Sequence, residues 1–367
     1  MNEVVIFCGS YPQIENALYV ASHHGDNHPV TLVIIGDGNL AKFFKVINEK
    51  VFHSTINIIY FDAYRGRRSR TANRIKKALY LLPDLAGEKR YLKNIFDERL
   101  AGLREAEIFF FSRFFSPFEF YMLRRLDRSN RLVYMQAPVY DALAIEQAAP
   151  ARLMELAYLT RWKLAYGYDI EMGKHALGQK VPFMPDKFFR EHVYKVIDRE
   201  ERDTVLRDFD LSKFRVFDVG DYSFMYFHDD LVQYGYISDS EAFLRILNAA
   251  FQILKKHFPA EKVACKYHPS SDKTIIQFGD VLPDFIPAEF LYNDKVEMYL
   301  GLSSMALANI EKGLVVSLMD MVTFRDDETR KGLKEILVRA SKSKILFPRS
   351  LQEFEQILAG LKGAGTS

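Results

Sequence analysis

The feature that most constrains this chain is a rhythm that occurs twice. Short apolar runs rich in β-branched and aromatic residues alternate with segments of helix length, and a strand that needs a helix before its next neighbour predicts parallel βαβ units. The first series reads VVIFCG (4–9), a turn at Ser10-Tyr11-Pro12, a helical stretch from Ile14 to His24, and VTLVIIG (30–36) ending at Asp37-Gly38. It continues through INIIYF (56–61), EIFFFSR (107–113) and RLVYMQ (131–136), which predicts one Rossmann-like domain over 1–185. The charged, weakly apolar stretch that follows reads as a linker over 186–212. A second series starts at RVFDVG (215–220) and adds a helix from about Ser240 to His257, the strands KVACKYH (262–268) and KVEMYLG (295–301), a helix from Ser303 or Ser304, and LVVSLMD (314–320). It predicts a second Rossmann-like domain over 213–349, followed by a C-terminal helix and tail over 350–367. Two such domains in tandem predict an α/β protein with a central cleft between them. Ligands of open parallel sheets bind beyond the carboxyl ends of the strands.

Size and charge agree with this division. A chain of 367 residues exceeds what one core usually organises, and 49% hydrophobic residues suffice for two. Lys plus Arg total 50 against 48 for Asp plus Glu, so there is no overall field to attract nucleic acid, and no nucleic-acid partner is expected. The two cysteines, Cys8 and Cys265, fall in different predicted domains, which argues against a disulfide and for a reducing compartment. The N-terminus lacks a basic, apolar leader, and no apolar stretch reaches the roughly 18 residues of a membrane span. The cytoplasm is the expected location.

Three short elements in the second domain carry candidate chemistry. Lys266-Tyr267-His268-Pro269 closes a strand, which places the His268 imidazole at a carboxyl strand end; the plain alternative is a turn residue before proline. In Gly301-Leu302-Ser303-Ser304 a strand hands over to a predicted helix, where hydroxyls and free N–H groups form an anion site; the plain alternative is an ordinary serine cap. Between them lies Ile286-Pro287-Ala288-Glu289-Phe290, whose Glu289 can accept hydrogen bonds from ribose hydroxyls or simply be a solvated carboxylate.

In this order and spacing the three elements resemble the C-terminal domain of bacterial sialyltransferases, of the lipooligosaccharide sialyltransferase and capsular polysialyltransferase type. The segment Asp-Leu-Val-Gln-Tyr-Gly-Tyr-Ile-Ser (230–238) and the N-terminal CGSYPQIENAL are similar to further parts of those families. The resemblance implies a GT-B architecture and a CMP-activated acidic 2-keto sugar, sialic acid-like or Kdo-like, as co-substrate. It implies a surface glycan or glycolipid acceptor, in lipopolysaccharide or capsule biosynthesis, and neither cofactor nor metal. By it, His268 contacts the CMP phosphate and acts as general acid, Ser303 and Ser304 bind the same phosphate, Glu289 holds the ribose, and Lys266, Pro269 and Gly301 belong to the same nucleotide site. A departing nucleotide leaves charge on its phosphate, which a protonated imidazole with hydroxyl and amide donors stabilises.

These families also carry an acidic pair followed by glycine, which supplies the base for the acceptor hydroxyl. The corresponding strand here, RLVYMQ, leads instead into Ala137-Pro138-Val139-Tyr140-Asp141. Asp141 is the replacement candidate, against the reading that it caps a helix ALAIEQ. His228-Asp229-Asp230 supplies an acidic pair in the second domain, where a structural or donor-contact role is expected. Asp208-Phe209-Asp210 reads as solvated linker, and His23, His24, Asp26 and His28 as the end of a surface helix, so no metal site is expected. The absence of a Gly-x-Gly-x-x-Gly or P-loop pattern speaks against a dehydrogenase or NTPase. Arg65-Gly66-Arg67-Arg68-Ser69-Arg70 and the aromatic run FFFSRFFSPFEFY (109–121) leave open a peripheral contact with the inner membrane, against a solvated loop and a buried strand. Two other functions compete: a CDP-glycerol-type glycerophosphotransferase, and a non-catalytic nucleotide- or glycan-binding protein that has lost the acceptor base.

Overall fold

In the computed structural model the chain divides into two compact units, Met1–Lys213 and Phe214–Ser367. The structure describes residues 3–62, 81–114, 116–137, 146–147, 163, 170–174, 180–217, 220–229, 231–232, 235–268, 278–291 and 295–364. Asp141, Pro269, Asp230 and the basic cluster 65–70 lie outside the described residues.

The first unit is built on a six-stranded parallel sheet. Its strands are β1 (Val4–Cys8), β2 (Val30–Ile35), β3 (Asn57–Phe61), β4 (Glu107–Phe110), β5 (Arg131–Met135) and β9 (Val193–Ile197), in spatial order β3-β2-β1-β4-β5-β9. Every residue of β1 is buried, as expected of a central parallel strand covered on both faces, and this is why it reads as an uninterrupted apolar run. A helix at Ile14–Gly25 follows β1, and another at Gly38–Lys50 follows β2, its N-terminus capped by the Asp37 carboxylate on the N–H groups of Asn39 and Leu40. The aromatic run divides between β4 and the helix Pro117–Leu126. Its Phe110, Phe118, Phe120 and Tyr121 all sit in the core of this unit, which corrects the reading of that run as a membrane-touching patch. A separate antiparallel sheet of three short strands, β6 (Glu146–Gln147), β7 (Glu171–Lys174) and β8 (Lys180–Phe183), adds to this unit. Glu146–Gln147 is thus strand, where a helix ALAIEQ was the expectation.

The expected linker 186–212 is not a linker. It holds the helix Asp186–His192, the strand β9 and the helix Arg199–Leu206, and β9 pairs with β5 as the sixth strand of the sheet. A buried polar knot ties this segment down. The Asn16 side chain donates to the carbonyls of Met135 and Gln136 at the end of β5, and its oxygen accepts from Arg202 Nε at 3.1 Å. Arg202, itself 7% exposed, also reaches Glu15 Oε2 at 3.1 Å and Asp203 Oδ1 at 2.9 Å. Removing one member of such a knot would strand a buried donor or charge.

The second unit repeats the plan with a second six-stranded parallel sheet. Its strands are β10 (Phe224–His228), β11 (Val263–Tyr267), β12 (Asp280–Val281), β13 (Met298–Gly301), β14 (Leu314–Ser317) and β15 (Ile345–Leu346), in order β12-β11-β10-β13-β14-β15. The first strand is FMYFH rather than the expected RVFDVG: all five residues of β10 are buried, whereas Arg215, Val216 and Phe217 precede the sheet. The helix Ser240–Leu254 lays Phe243, Leu247, Ala250, Phe251 and Leu254 on the core with the spacing of an amphipathic helix. The C-terminal helix Leu351–Ala364 buries Phe354 and Leu358 against the same core. Cys8 and Cys265 are buried free thiols in different units. Among the described residues no helix is long and apolar enough to cross a membrane.

Candidate functional site

Numbered within its own unit, each sheet has the strand order 3-2-1-4-5-6. The order therefore reverses between β10 and β13 in the second unit, and open α/β sheets bind ligands beyond the carboxyl ends of the strands at that reversal. His268 and the loop Gly301-Leu302-Ser303-Ser304 follow the strands on either side of β10. His268 follows β11, and its N–H donates to the His228 carbonyl at the end of β10 at 3.1 Å, so the two strand ends advance together. The His268 side chain is exposed. On the other side of β10, Gly301-Leu302-Ser303-Ser304 leaves β13. Gly301 sits at a close approach, since a Cβ there would stand 3.1 Å from the Phe227 carbonyl oxygen and 3.1 Å from Leu307 Cδ1. The loop is braced from below by Ser317 of β14, whose hydroxyl donates to the Leu302 carbonyl at 2.6 Å.

The expected helix after Ser304 is a 3-10 turn at Met305–Asn309, and Ser304 makes no side-chain cap. The loop amides have a partner instead. Asp229, the residue after β10, accepts the Ser303 N–H at 2.6 Å, and the Ser303 hydroxyl stands 3.5 Å from the same oxygen. The N–H groups of Leu302 and Ser304 also act on this carboxylate. Asp229 is partly buried, and loss of solvation raises its pKa to about 6 even though the Ser303, Leu302 and Ser304 donors favour the charged form. Beneath it, His228 is buried with its Nδ1 2.9 Å from the Tyr226 hydroxyl, and burial followed by the Asp229 charge pushes the Tyr226 phenol well above its ordinary range.

One expected nucleotide contact, Lys266, is turned to the interior. Lys266 is 5% exposed, and its ammonium donates to the carbonyls of Tyr267 at 3.3 Å and Asp284 at 3.2 Å. It braces the segment leading to Ile286–Phe290 from inside. That segment buries Ile286 and Phe290 and leaves Glu289 exposed on a 3-10 turn. Asp208 and Asp210 are exposed as expected, and no group of His, Cys, Asp and Glu side chains among the described residues could hold a metal ion.

No protein-family model and no curated protein sequence matches the chain. Among solved structures it is similar to UGT89C1 of Arabidopsis thaliana complexed with UDP-L-rhamnose, at 11% identity over 98% of this chain and 89% of that chain, with a TM-score of 0.42. It is also similar to S. aureus MnaA in its co-structure with UDP, at 10% identity over 99% of this chain and 88% of that chain, with a TM-score of 0.43. The α/β fold class with two Rossmann-like units rests on the two strand orders themselves.

Proposed function

We propose that the chain is a glycosyltransferase that moves an acidic 2-keto sugar from a CMP donor to a surface glycan acceptor without a metal ion. The observation that carries this reading is that His268 and Ser303-Ser304 leave the carboxyl ends of β11 and β13, the two strands on either side of β10, beside the order reversal of the second sheet. Two Rossmann-like units in tandem, the arrangement of GT-B glycosyltransferases, support it. In the proposed reaction the bond between the sugar's anomeric carbon and the phosphate oxygen breaks. His268, entering as imidazolium, protonates that oxygen while the serine hydroxyls hold the phosphate, and Glu289 accepts hydrogen bonds from the ribose. The acceptor hydroxyl oxygen bonds to the anomeric carbon and loses its proton to a carboxylate. Asp141 is the proposed base, with Asp230 next, because Asp229 is already engaged by the loop amides.

The test is a thermal-shift comparison of CMP, CDP, UMP, UDP and GDP, since a ligand raises the melting point in proportion to its preference for the folded state. CMP and CDP should stabilise the protein most; a clear preference for UDP or GDP would overturn the donor assignment. Turnover should survive EDTA. Asp141→Asn should abolish transfer and leave the CMP-induced shift intact, whereas wild-type turnover in that variant would move the base elsewhere.

A further inference from the structure

The anion site expected from the Gly301-Leu302-Ser303-Ser304 loop already contains an anion, and it belongs to the chain itself. The Asp229 carboxylate takes the Ser303 N–H at 2.6 Å, and the flanking Leu302 and Ser304 N–H groups act on it as well. These are the donors that a phosphate would use. A charged carboxylate and a phosphate cannot share them, because each needs the same N–H groups and each repels the other in a partly desolvated setting.

We propose that Asp229 and the donor's phosphate compete for the Leu302, Ser303 and Ser304 amides, so that nucleotide binding takes up a proton at the Asp229 carboxyl. The inference rests on the CMP-donor reading and adds to it the manner in which that site is opened. Once protonated, the carboxyl surrenders the amides and can turn its O–H toward a phosphate oxygen, so that a competitor becomes a donor. Asp229 is suited to the change because burial already holds its pKa near 6, within reach of neutral pH. Its surroundings contain other titratable groups. On β10 they are Tyr226 and His228, which are bonded to each other; on β11 they are Cys265 and Tyr267, with His268 just beyond; across the gap stand the uncharged hydroxyls of Ser303 and Ser304, with Ser317 of β14 behind them. His268 is an exposed imidazole just beyond the neighbouring strand end, so the test must separate its contribution from that of Asp229.

The direction follows from linkage. If phosphate binds the protonated form, the dissociation constant is flat below the free carboxyl's pKa of about 6 and rises about tenfold per pH unit above it. Asp229→Asn is isosteric, keeps an oxygen for the loop amides and cannot become charged. Titration calorimetry with CMP from pH 5.5 to 8.5 would be run on the wild type, Asp229→Asn and His268→Gln, with inorganic phosphate as a second probe. The CMP phosphate's own titration is common to all three proteins and cancels in the comparison. The expected result is that Asp229→Asn binds more tightly than wild type at pH 8 and has a slope shallower by about one decade per pH unit, whereas His268→Gln retains the Asp229 part of the slope. Wild type should also take up about one proton per CMP at pH 7.5, measured in two buffers of different ionisation enthalpy, a readout that does not depend on the variant folding. Equal slopes in wild type and Asp229→Asn, or no net proton uptake, would overturn the proposal. If CMP fails to bind at any pH while inorganic phosphate shows the slope difference, the donor assignment falls and the competition stands; if neither ligand binds, both fall.

Discussion

The two sheets share one strand order yet treat the reversal point differently. In the first unit the reversal lies between β1 and β4, and the backbone N–H of Gly9 after β1 is taken by the Gln13 side-chain oxygen at 2.7 Å. In the second unit it lies between β10 and β13, and the N–H groups of the loop after β13 are taken by the Asp229 carboxylate. Both loops thus satisfy their exposed donors from within. The first uses a neutral amide, which holds its partner at any pH. The second uses an acid whose pKa is raised to about 6, so its hold on the loop depends on protonation. A carboxylate is present in the first unit too: Glu119, 4% exposed, has an oxygen 4.0 Å from where a side chain on Gly9 would begin, but the loop N–H does not rely on it. The contrast is between a proton-sensitive loop contact in the second unit and a fixed one in the first.

The strongest way to break the contrast is at His268. His268→Ala should cut turnover by at least about a hundredfold, the usual worth of a positioned acid or oxyanion donor, with little change in melting point because the side chain is exposed. Normal turnover with a lowered melting point would make His268 a turn residue and remove the chemistry from this strand end. Next in size is Gly301→Ala. Its added methyl would press on a backbone carbonyl and on Leu307, and should cost about 1–3 kcal/mol in denaturant unfolding. Ser303→Ala and Ser304→Ala should each weaken CMP binding by about 0.5–1.5 kcal/mol if one neutral hydrogen bond is lost, with turnover at saturation largely kept. The smallest effect is expected at Gly9→Ala, where the new methyl meets only ordinary contacts, at 3.9 Å from Gln13 and 4.0 Å from Glu119, and stability should move by less than about 0.5 kcal/mol. A large loss there would show that the first loop is as tightly specified as the second.

Much of this was legible from the chain because central parallel strands are buried on both faces. VVIFC is an unbroken apolar run for that reason, VACKY is one apart from the buried Lys266, and each strand end could be read together with the residue that follows it. The misreadings fall where burial is one-sided or short. In β9 only Ile197 is buried, and Tyr194 and Val196 are 67% and 48% exposed, so an edge strand flanked by charged helices read as a linker. RVFDVG has strand-like residues, but Asp218 and Gly220 interrupt it, and the fully buried FMYFH just after it is the strand. The segment after Ser304 forms only a 3-10 turn before Ile310 leaves the helical region, so the anticipated helix start is absent. His268, Ser303 and Ser304 were placed at strand ends by sequence alone, whereas the contact between Asp229 and Ser303 joins residues 74 apart and arises only when β10 and β13 lie side by side.

The pairing of β9 with β5 also decides where the chain can be divided. A fragment ending at Pro185, the boundary that the strand rhythm suggests, would leave the N–H and C=O groups of Leu132, Val133, Tyr134 and Met135 as a bare edge. It would also take Arg202 away from Asn16 and Glu15. An exposed apolar edge of that kind invites pairing with other copies, so such a fragment should precipitate, while one carried through to Lys213 keeps its edge covered and should stay in solution.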